Sequence, residues 1–396
     1  MKNFINLLRH KHFIILVLTL TTPSLWMFQK RLSLAGGLIY FLLAGSIILV
    51  ILTWLQPRMV NVQPKYINIL SLLTVIGLIT TFFLLYPLET GGRFGVGSDR
   101  DEALNIAVTE LLAGRYPYYA KTHLNGPITP FPGAILLAVP FVILGNSAYQ
   151  NLFWLAGFYV VLKRWLFPSK TVLLLFFWTI LAVSPAFWYE WISGGDLLAN
   201  NLYVFIFILL TINLAANPYR TPWLWLPAII FTGLGLSSRP NFLFLVPPLF
   251  SAIKVRANFR TAFITTGSIL FVFCLVTLPF FLIDPSGFSP LHVLNKFSTI
   301  EQTFPYAGVI ISGFTLVLSI FLAWRQHHSN IATLCYDFAL IQAFPLISGV
   351  ILNSIQTGYP NFSFIADRLG LNFMFFGAVA AWCLLTKACS SFLVRT

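Results

Sequence analysis

Asp99, Asp101, Glu102 and Glu110 crowd into one short stretch with Arg100, Arg115, Lys121 and His123, in a chain of which only 9% is charged. Carboxylates flanked by guanidinium groups suit a general base that takes the proton from an attacking hydroxyl. The Asp99–Asp101 spacing also offers oxygen ligands to a divalent metal. Two acids alone make no cage, so the favoured reading holds neither metal nor cofactor. The same residues have a structural use. Ser98-Asp99-Arg100-Asp101-Glu102 reads as a capping box opening an amphipathic helix over 102–113. There Leu104, Ala107, Val108, Leu111 and Leu112 make a stripe fit to lie on a membrane surface. Capping uses one acid and leaves its neighbour for chemistry.

Two smaller polar islands follow. Glu190 and Asp196 stand in Trp188-Tyr189-Glu190-Trp191-Ile192-Ser193-Gly194-Gly195-Asp196. One reading is a polar turn with Asp196 as N-cap of the next helix. The other is sugar recognition, with aromatic faces stacking on sugars and carboxylates accepting hydroxyl hydrogen bonds. Arg239-Pro240 separates two short apolar segments. A lone arginine there serves as a snorkelling anchor or, at membrane depth, as a bidentate phosphate ligand. Arg115, Lys296 and Arg368 are secondary candidates for that role. His123 and His292 have no second histidine at metal spacing and read as solvated loop residues; His327-His328 reads as a loop. Asp337 reads as an interhelical hydrogen-bond partner.

The rest of the chain must hold these groups. It is 58% hydrophobic and 16% aromatic, with a mean hydropathy of +0.84. Apolar runs of roughly 15–24 residues recur, the length that crosses a hydrocarbon core. This predicts an all-α polytopic membrane protein with about twelve transmembrane helices, a juxtamembrane amphipathic helix and a re-entrant segment. The crossings are expected near 13–28, 32–55, 66–87, 147–162, 171–188, 197–214, 222–237, 241–253, 262–283, 305–324, 331–352 and 369–386. The first is read as a retained helix, because Thr21 to Trp26 offers no small-x-small cleavage site. One membrane domain then covers 1–396.

The net charge of +13 invites a nucleic-acid reading, but the cations sit in short loops between apolar runs, as the positive-inside rule requires. No basic, aromatic-interleaved soluble face remains for a nucleic acid. Cys274, Cys335, Cys383 and Cys389 lie in or beside apolar segments without CxxC spacing and read as buried small hydrophobes. Phe131 to Leu144 is apolar but only about 14 residues long, with Pro130, Pro132 and Pro140 around it. If it spanned, Lys163, Arg164 and Lys170 would share the face of the acidic loop. Read as re-entrant, it leaves them with the other basic loops. Both termini are then cytoplasmic in a multi-pass cell-membrane protein, and the acids gather on the extracytoplasmic face. Lys30-Arg31 is the exception.

Asp101, then Leu111-Leu112-Ala113-Gly114-Arg115-Tyr116-Pro117-Tyr118, then Pro130-Phe131-Pro132-Gly133 and Leu136-Leu137-Ala138-Val139-Pro140 resemble the first outer loop of GT-C glycosyltransferases. More narrowly, they resemble the polyprenyl-phosphate-mannose-dependent mannosyltransferase branch. The resemblance covers roughly residues 66–255; Gly194-Gly195-Asp196-Leu197-Leu198-Ala199-Asn200 and Arg239-Pro240 resemble that family's later polar elements. It divides the chain into two extra N-terminal helices (1–65), a GT-C-like module (66–255) with a catalytic outer loop (88–146), and C-terminal helices (256–396). It implies transfer of a hexose, mannose or similar, from a polyprenyl-phosphate donor to a glycan or glycolipid hydroxyl, with inversion. Asp101 or Asp99 would be the base. Substrate contacts would fall to Glu102, Arg115, Tyr118, Glu190, Asp196, Arg239 and Lys296, with membrane lipids around the donor tail. Where the family pattern offers one clear acid, this chain has Asp99-Arg100-Asp101-Glu102, so both aspartates stand. A lipid or oligosaccharide transporter or flippase, and a polysaccharide polymerase or ligase, are the rival readings. An early acidic loop and the absence of an internal sequence repeat weigh against them.

Overall fold

The computed structural model describes residues 11–93, 98–216, 222–291, 298–325 and 330–387. In chain order its helices are α1 (Lys11–Thr21), α2 (Leu25–Val50), α3 (Gln56–Val60), α4 (Pro64–Thr90), α5 (Arg100–Leu112), α6 (Pro132–Ile143), α7 (Tyr149–Val161), α8 (Lys170–Val183) and α9 (Pro185–Ser193). They continue as α10 (Asp196–Ala215), α11 (Pro222–Leu236), α12 (Val246–Arg256), α13 (Phe259–Ile283), α14 (Ser298–Glu301), α15 (Ala307–Arg325), α16 (Ile331–Thr357) and α17 (Leu371–Thr386). The described residues form no strand; Lys121 and Pro127 make an isolated bridge. An all-helical chain is what an apolar solvent demands, because each helix satisfies its own backbone. The exposed ends find local caps: Asn258 Oδ1 accepts from Thr261 N–H at 2.8 Å to start α13, and Gly358, at φ 77°, closes α16 in the left-handed region.

Among the described residues six helical stretches are long and apolar enough to cross a membrane, or seven if the α8–α9 pair counts as one broken span. Several expected crossings are shorter. The 222–237 crossing is the 15-residue α11, and 369–386 is the 16-residue α17. The 241–253 crossing divides into a 3-10 turn, Pro240–Leu245, and the 11-residue α12. Prolines explain the division: Pro240, Pro247 and Pro248 have no N–H to donate to a regular helix. The 171–188 crossing breaks at Ser184, where α8 and α9 meet at 86°. Lys30 and Arg31 lie within α2, whose dihedrals leave the helical region at Leu32 and Ser33, so the expected loop is a kink.

The chain forms two compact units. The first comprises residues 1–86, 159–192 and 330–396. In it α16 packs on α17, α17 on α1, and α2 on α8; Tyr40 donates to the Val183 carbonyl at 2.7 Å. Cys335 is buried here as expected, but Cys383 is disulfide-bonded. That corrects the reading of every cysteine as a plain thiol, and Cys274 on α13 is exposed rather than buried. Cys389 lies outside the described residues, as do His292, His327 and His328.

The second unit comprises residues 87–158 and 193–329. Its axis is α10, 83% buried over its membrane-length window, the mark of a helix enclosed by others. α11 and α12 pack on α10, and α13 packs on both. α13 is only 17% buried, so its outer surface is apolar skin for lipid. Small residues let these helices close. A methyl on Gly233 would lie 2.6 Å from Val272 Cβ on α13, so glycine is needed for that approach. The 12-residue α6 spans roughly 18 Å and packs on α5, α11 and α13. Its first turn is bound by backbone: Gly133 N–H donates to the Ser237 carbonyl at 3.0 Å, and a methyl there would strike the Leu234 carbonyl.

α5 departs from expectation in two ways. It starts at Arg100, and its N-cap Asp99 makes no side-chain cap, so the capping box does not form. The acids are drawn elsewhere. Thr122 Oγ1 donates to Asp99 Oδ2 at 2.8 Å, and the His123 backbone N–H and Nδ1 reach Glu102. Nor is the apolar stripe bare. Leu104, Ala107 and Val108 are wholly buried with Ala134, Ile135 and Ala138 of α6, while Leu112 is left exposed.

Candidate active site

Five polar segments come together in the second unit. Gly133 bonds Ser237, as above, and Phe131 N–H reaches the Ser238 carbonyl at 3.4 Å. Ser289 Oγ donates to the Ile128 carbonyl at 2.5 Å, and Asn151 Nδ2 to the Gly195 carbonyl at 3.1 Å. The segments around 98–133, 145–151, 195–196, 237–241 and 284–289 thus form one polar end. The far end of α10 is marked by Arg256, which donates to Asn213 Oδ1 at 3.3 Å.

At this polar end Arg239 is paired with Asp196, the side chains 8% and 2% exposed. Asp196 is not the N-cap expected of it. Gly195 takes that position and Asp196 is the first residue of α10, where a carboxylate still meets the positive end of the helix dipole. Asn200 Nδ2 donates to Asp196 Oδ2 at 3.0 Å, and the Tyr203 hydroxyl donates to Asn200 Oδ1 at 2.6 Å. Asp196, Asn200 and Tyr203 stand at i, i+4 and i+7, one face of α10. Trp154 backs the last of them, with ring centroids 5.5 Å apart. Arg239 Nε is buried and without a hydrogen-bond partner, a costly state for a charged donor unless an oxygen ligand completes it.

Asp101 lies on the first turn of α5, 2% exposed. Ser147 Oγ donates to its carbonyl at 3.0 Å, and Ser147 N–H donates to Asn105 Oδ1 at 2.8 Å. One turn beyond Ser147 is Asn151, bonded to Gly195. The backbone at Asp101 is therefore tied to the backbone at Gly195, just before Asp196, through Ser147 and Asn151. Asp99 is partly exposed and held by Thr122, which places it in the loop lock rather than the buried end. Glu102 is likewise engaged by His123, at 2.5 Å to Nδ1; this histidine is bonded rather than merely solvated.

Tyr118 is 5% exposed and donates to the Pro130 carbonyl at 3.1 Å. Burial pushes its phenol well above the ordinary range, the neighbouring Tyr116 adds to the rise, and the Arg239 charge opposes it. Arg115 is placed differently. Its Nε and Nη2 grip Glu110 at 2.5 and 2.8 Å, with the arginine 61% exposed. Each strengthens the other's ionisation: the bond holds Glu110 below the usual carboxylate range and Arg115 above its own.

Glu190 is completely buried on α9, in the first unit. Lys296 and the Arg368 side chain lie outside the described residues, and Asp337 is buried on α16. Among the described residues no group of three or more His, Cys, Asp and Glu converges as a metal set. Sequence reasoning missed Asn151 and Tyr203 and took Asn200 only as the end of a motif, not as a partner of Asp196. The signal for Asn200 and Tyr203 was there: polar residues at helical spacing behind Asp196 in an otherwise apolar run. No protein-family model, characterised protein or solved structure matches the chain.

Proposed function

We propose that this protein is a membrane glycosyltransferase of GT-C type, moving a hexose from a polyprenyl-phosphate donor to an extracytoplasmic hydroxyl. In this reading the shorter apolar helices complete crossings toward a total of about twelve, and α6 is the re-entrant segment. The carrying observation is that α5, with the buried Asp101, packs on α10, with the buried Asp196–Arg239 pair, in an apolar bundle. Ionisable groups enclosed in such a bundle are expensive and mark function.

The geometry supports the following division of labour. A phosphate leaves from an anomeric carbon without needing a proton, so one base is enough. Asp101, in the buried end, accepts the proton of the attacking hydroxyl; Asp99, locked to Thr122, holds the loop. Arg239 offers its buried Nε to a phosphate oxygen as negative charge develops there, the kind of fixed stabilisation that dominates many enzyme sites. Asp196 fixes the guanidinium from its other side. Attack by the acceptor opposite the leaving phosphate inverts the anomeric centre.

The test uses the full chain in proteoliposomes with a polyprenyl-phospho-mannose donor. Asp101→Asn is expected to cut transfer about 100-fold or more, and Asp99→Asn much less. Full activity in both variants would remove the base. Transfer from a nucleotide sugar without lipid donor would remove the mechanism.

The 86° break between α8 and α9 and the 3-10 turn at Pro240–Leu245 support a second reading, a lipid-linked-sugar transporter, since broken helices build transporter sites. Movement of the lipid-linked sugar between leaflets without any transfer product would favour it.

A further inference from the structure

The second unit carries an exposed ring held more firmly than an exposed ring needs to be. Tyr119 ends the 3-10 turn Pro117–Tyr119 and is 64% exposed. Its hydroxyl donates to Asp284 Oδ2 at 3.1 Å, and its ring meets Tyr116 at 4.8 Å and 60°. Tyr116 is fixed in turn, donating to the Phe280 carbonyl at 2.8 Å and meeting the buried Tyr118 ring at 5.4 Å. Asp284 is held from the opposite side. Its Oδ1 accepts from Ser286 N–H at 3.1 Å, Ser286 Oγ at 2.7 Å and Gly287 N–H at 2.9 Å. These donors keep the carboxylate ionised below the usual range. Oδ2, with Tyr119 as its donor, retains acceptor capacity. Gly287 is the floor of this arrangement: a methyl there would strike Asp284 Oδ2 and come within 3.1 Å of Tyr119 Cε1.

We propose that Tyr119 and Asp284 form a saccharide-binding platform, the ring stacking on the apolar face of a pyranose while Asp284 Oδ2 accepts from one of its hydroxyls. That the occupant is the sugar acceptor rests on the transferase reading. The chemistry separates a sugar from lipid. Exposed tyrosines at membrane interfaces ordinarily meet headgroups, but the ionised carboxylate at this ring's hydroxyl repels a headgroup phosphate and gives an acyl chain nothing. A sugar offers a C–H face and O–H donors together. The fixed ring also has little freedom left to lose on binding, which favours affinity. Tyr118, the preceding residue, donates to the Pro130 carbonyl, and the next residue, Phe131, bonds Ser238, so the platform adjoins the polar end.

The experiment is saturation-transfer NMR of mannotriose with the full chain in phosphatidylcholine nanodiscs. Wild type is expected to saturate the sugar C–H protons. Tyr119→Ala should weaken binding about tenfold or more, and Tyr119→Phe, which keeps the ring, only about two- to threefold. Gly287→Ala should weaken binding while leaving both side chains present, and Glu110→Gln, outside the platform, should bind as wild type. Absence of saturation in wild type, or wild-type binding by Tyr119→Leu, would overturn the platform. Binding that depends on Tyr119 in a protein with no transferase activity would sustain the platform and remove the transferase reading.

Discussion

Glu110 and Arg115 pair five residues apart on an exposed helix end, whereas Asp196 and Arg239 pair 43 residues apart between buried elements. The first needs only the turn after α5, where Gly114 adopts φ 71°. The second needs α10, α11 and the 3-10 turn all in place. An exposed pair is screened by water and contributes little. A buried pair has lost its hydration, and each partner then depends on the other. Crowding of charge along a sequence therefore points to a place, while the charge that matters energetically can be sparse.

The largest effect should come from breaking the buried pair. Asp196→Ala leaves an unpaired guanidinium and is expected to destabilise the second unit by about 3–5 kcal/mol, measured as a fall in thermal midpoint in detergent. Replacing both partners, Asp196→Leu with Arg239→Met, should recover much of that loss. If the single and double variants melt together, the pair is not coupled as its geometry implies. Gly133→Ala should come next, at roughly 1–3 kcal/mol, because the added methyl forces α6 away from the Leu234–Ser237 backbone. Tyr203→Phe removes one buried hydrogen bond in the column behind Asp196 and should cost about 1 kcal/mol. Glu110→Gln should be indistinguishable from wild type, and a loss as large as that of Asp196→Ala would erase the contrast.

Much of this frame was legible in the residues. Apolar runs gave the all-helical class, the prolines and short length singled out 131–144, and the polar islands at 99–118, 190–196 and 239 were visible by type. The capping box failed because local pattern competes with distant partners: Thr122 and His123 take the two acids that the box required. The 241–253 crossing was read as one continuous helix because hydropathy does not register Pro240, Pro247 and Pro248 as breaks until their missing donors are counted. Tyr203, and the bond from Asn200 to Asp196, went unread because a polar residue in an apolar run gains meaning only from what its helix face meets. Arg239 was readable as a cation at a break, but its pairing with Asp196 depends on packing between helices.

The smallest effect concerns Tyr119 and Asp284, an exposed pair that resembles Glu110–Arg115 in openness but has more bonds per group. The hydrogen bond to Asp284 is the leading cause that raises the Tyr119 phenol above its ordinary value, and Asp284 itself is lowered, first by Ser286. The signs give opposite windows. A raised phenol contributes its stabilisation below the ordinary phenol pKa and loses it as pH climbs through the raised value. A lowered carboxylate contributes above the ordinary carboxylate pKa and loses it as pH falls through the lowered value. Between those limits the ring is locked. Titration of a 13Cζ-labelled tyrosine resonance, assigned by its loss in Tyr119→Phe, reads this directly. Asp284→Asn should bring the Tyr119 midpoint down toward the ordinary phenol value with little change in thermal midpoint, because the pair lies in solvent. A midpoint unmoved by that substitution would mean that the Asp284 carboxylate charge does not hold the phenol neutral, and the exposed region would then contain no group set more firmly than Glu110 and Arg115.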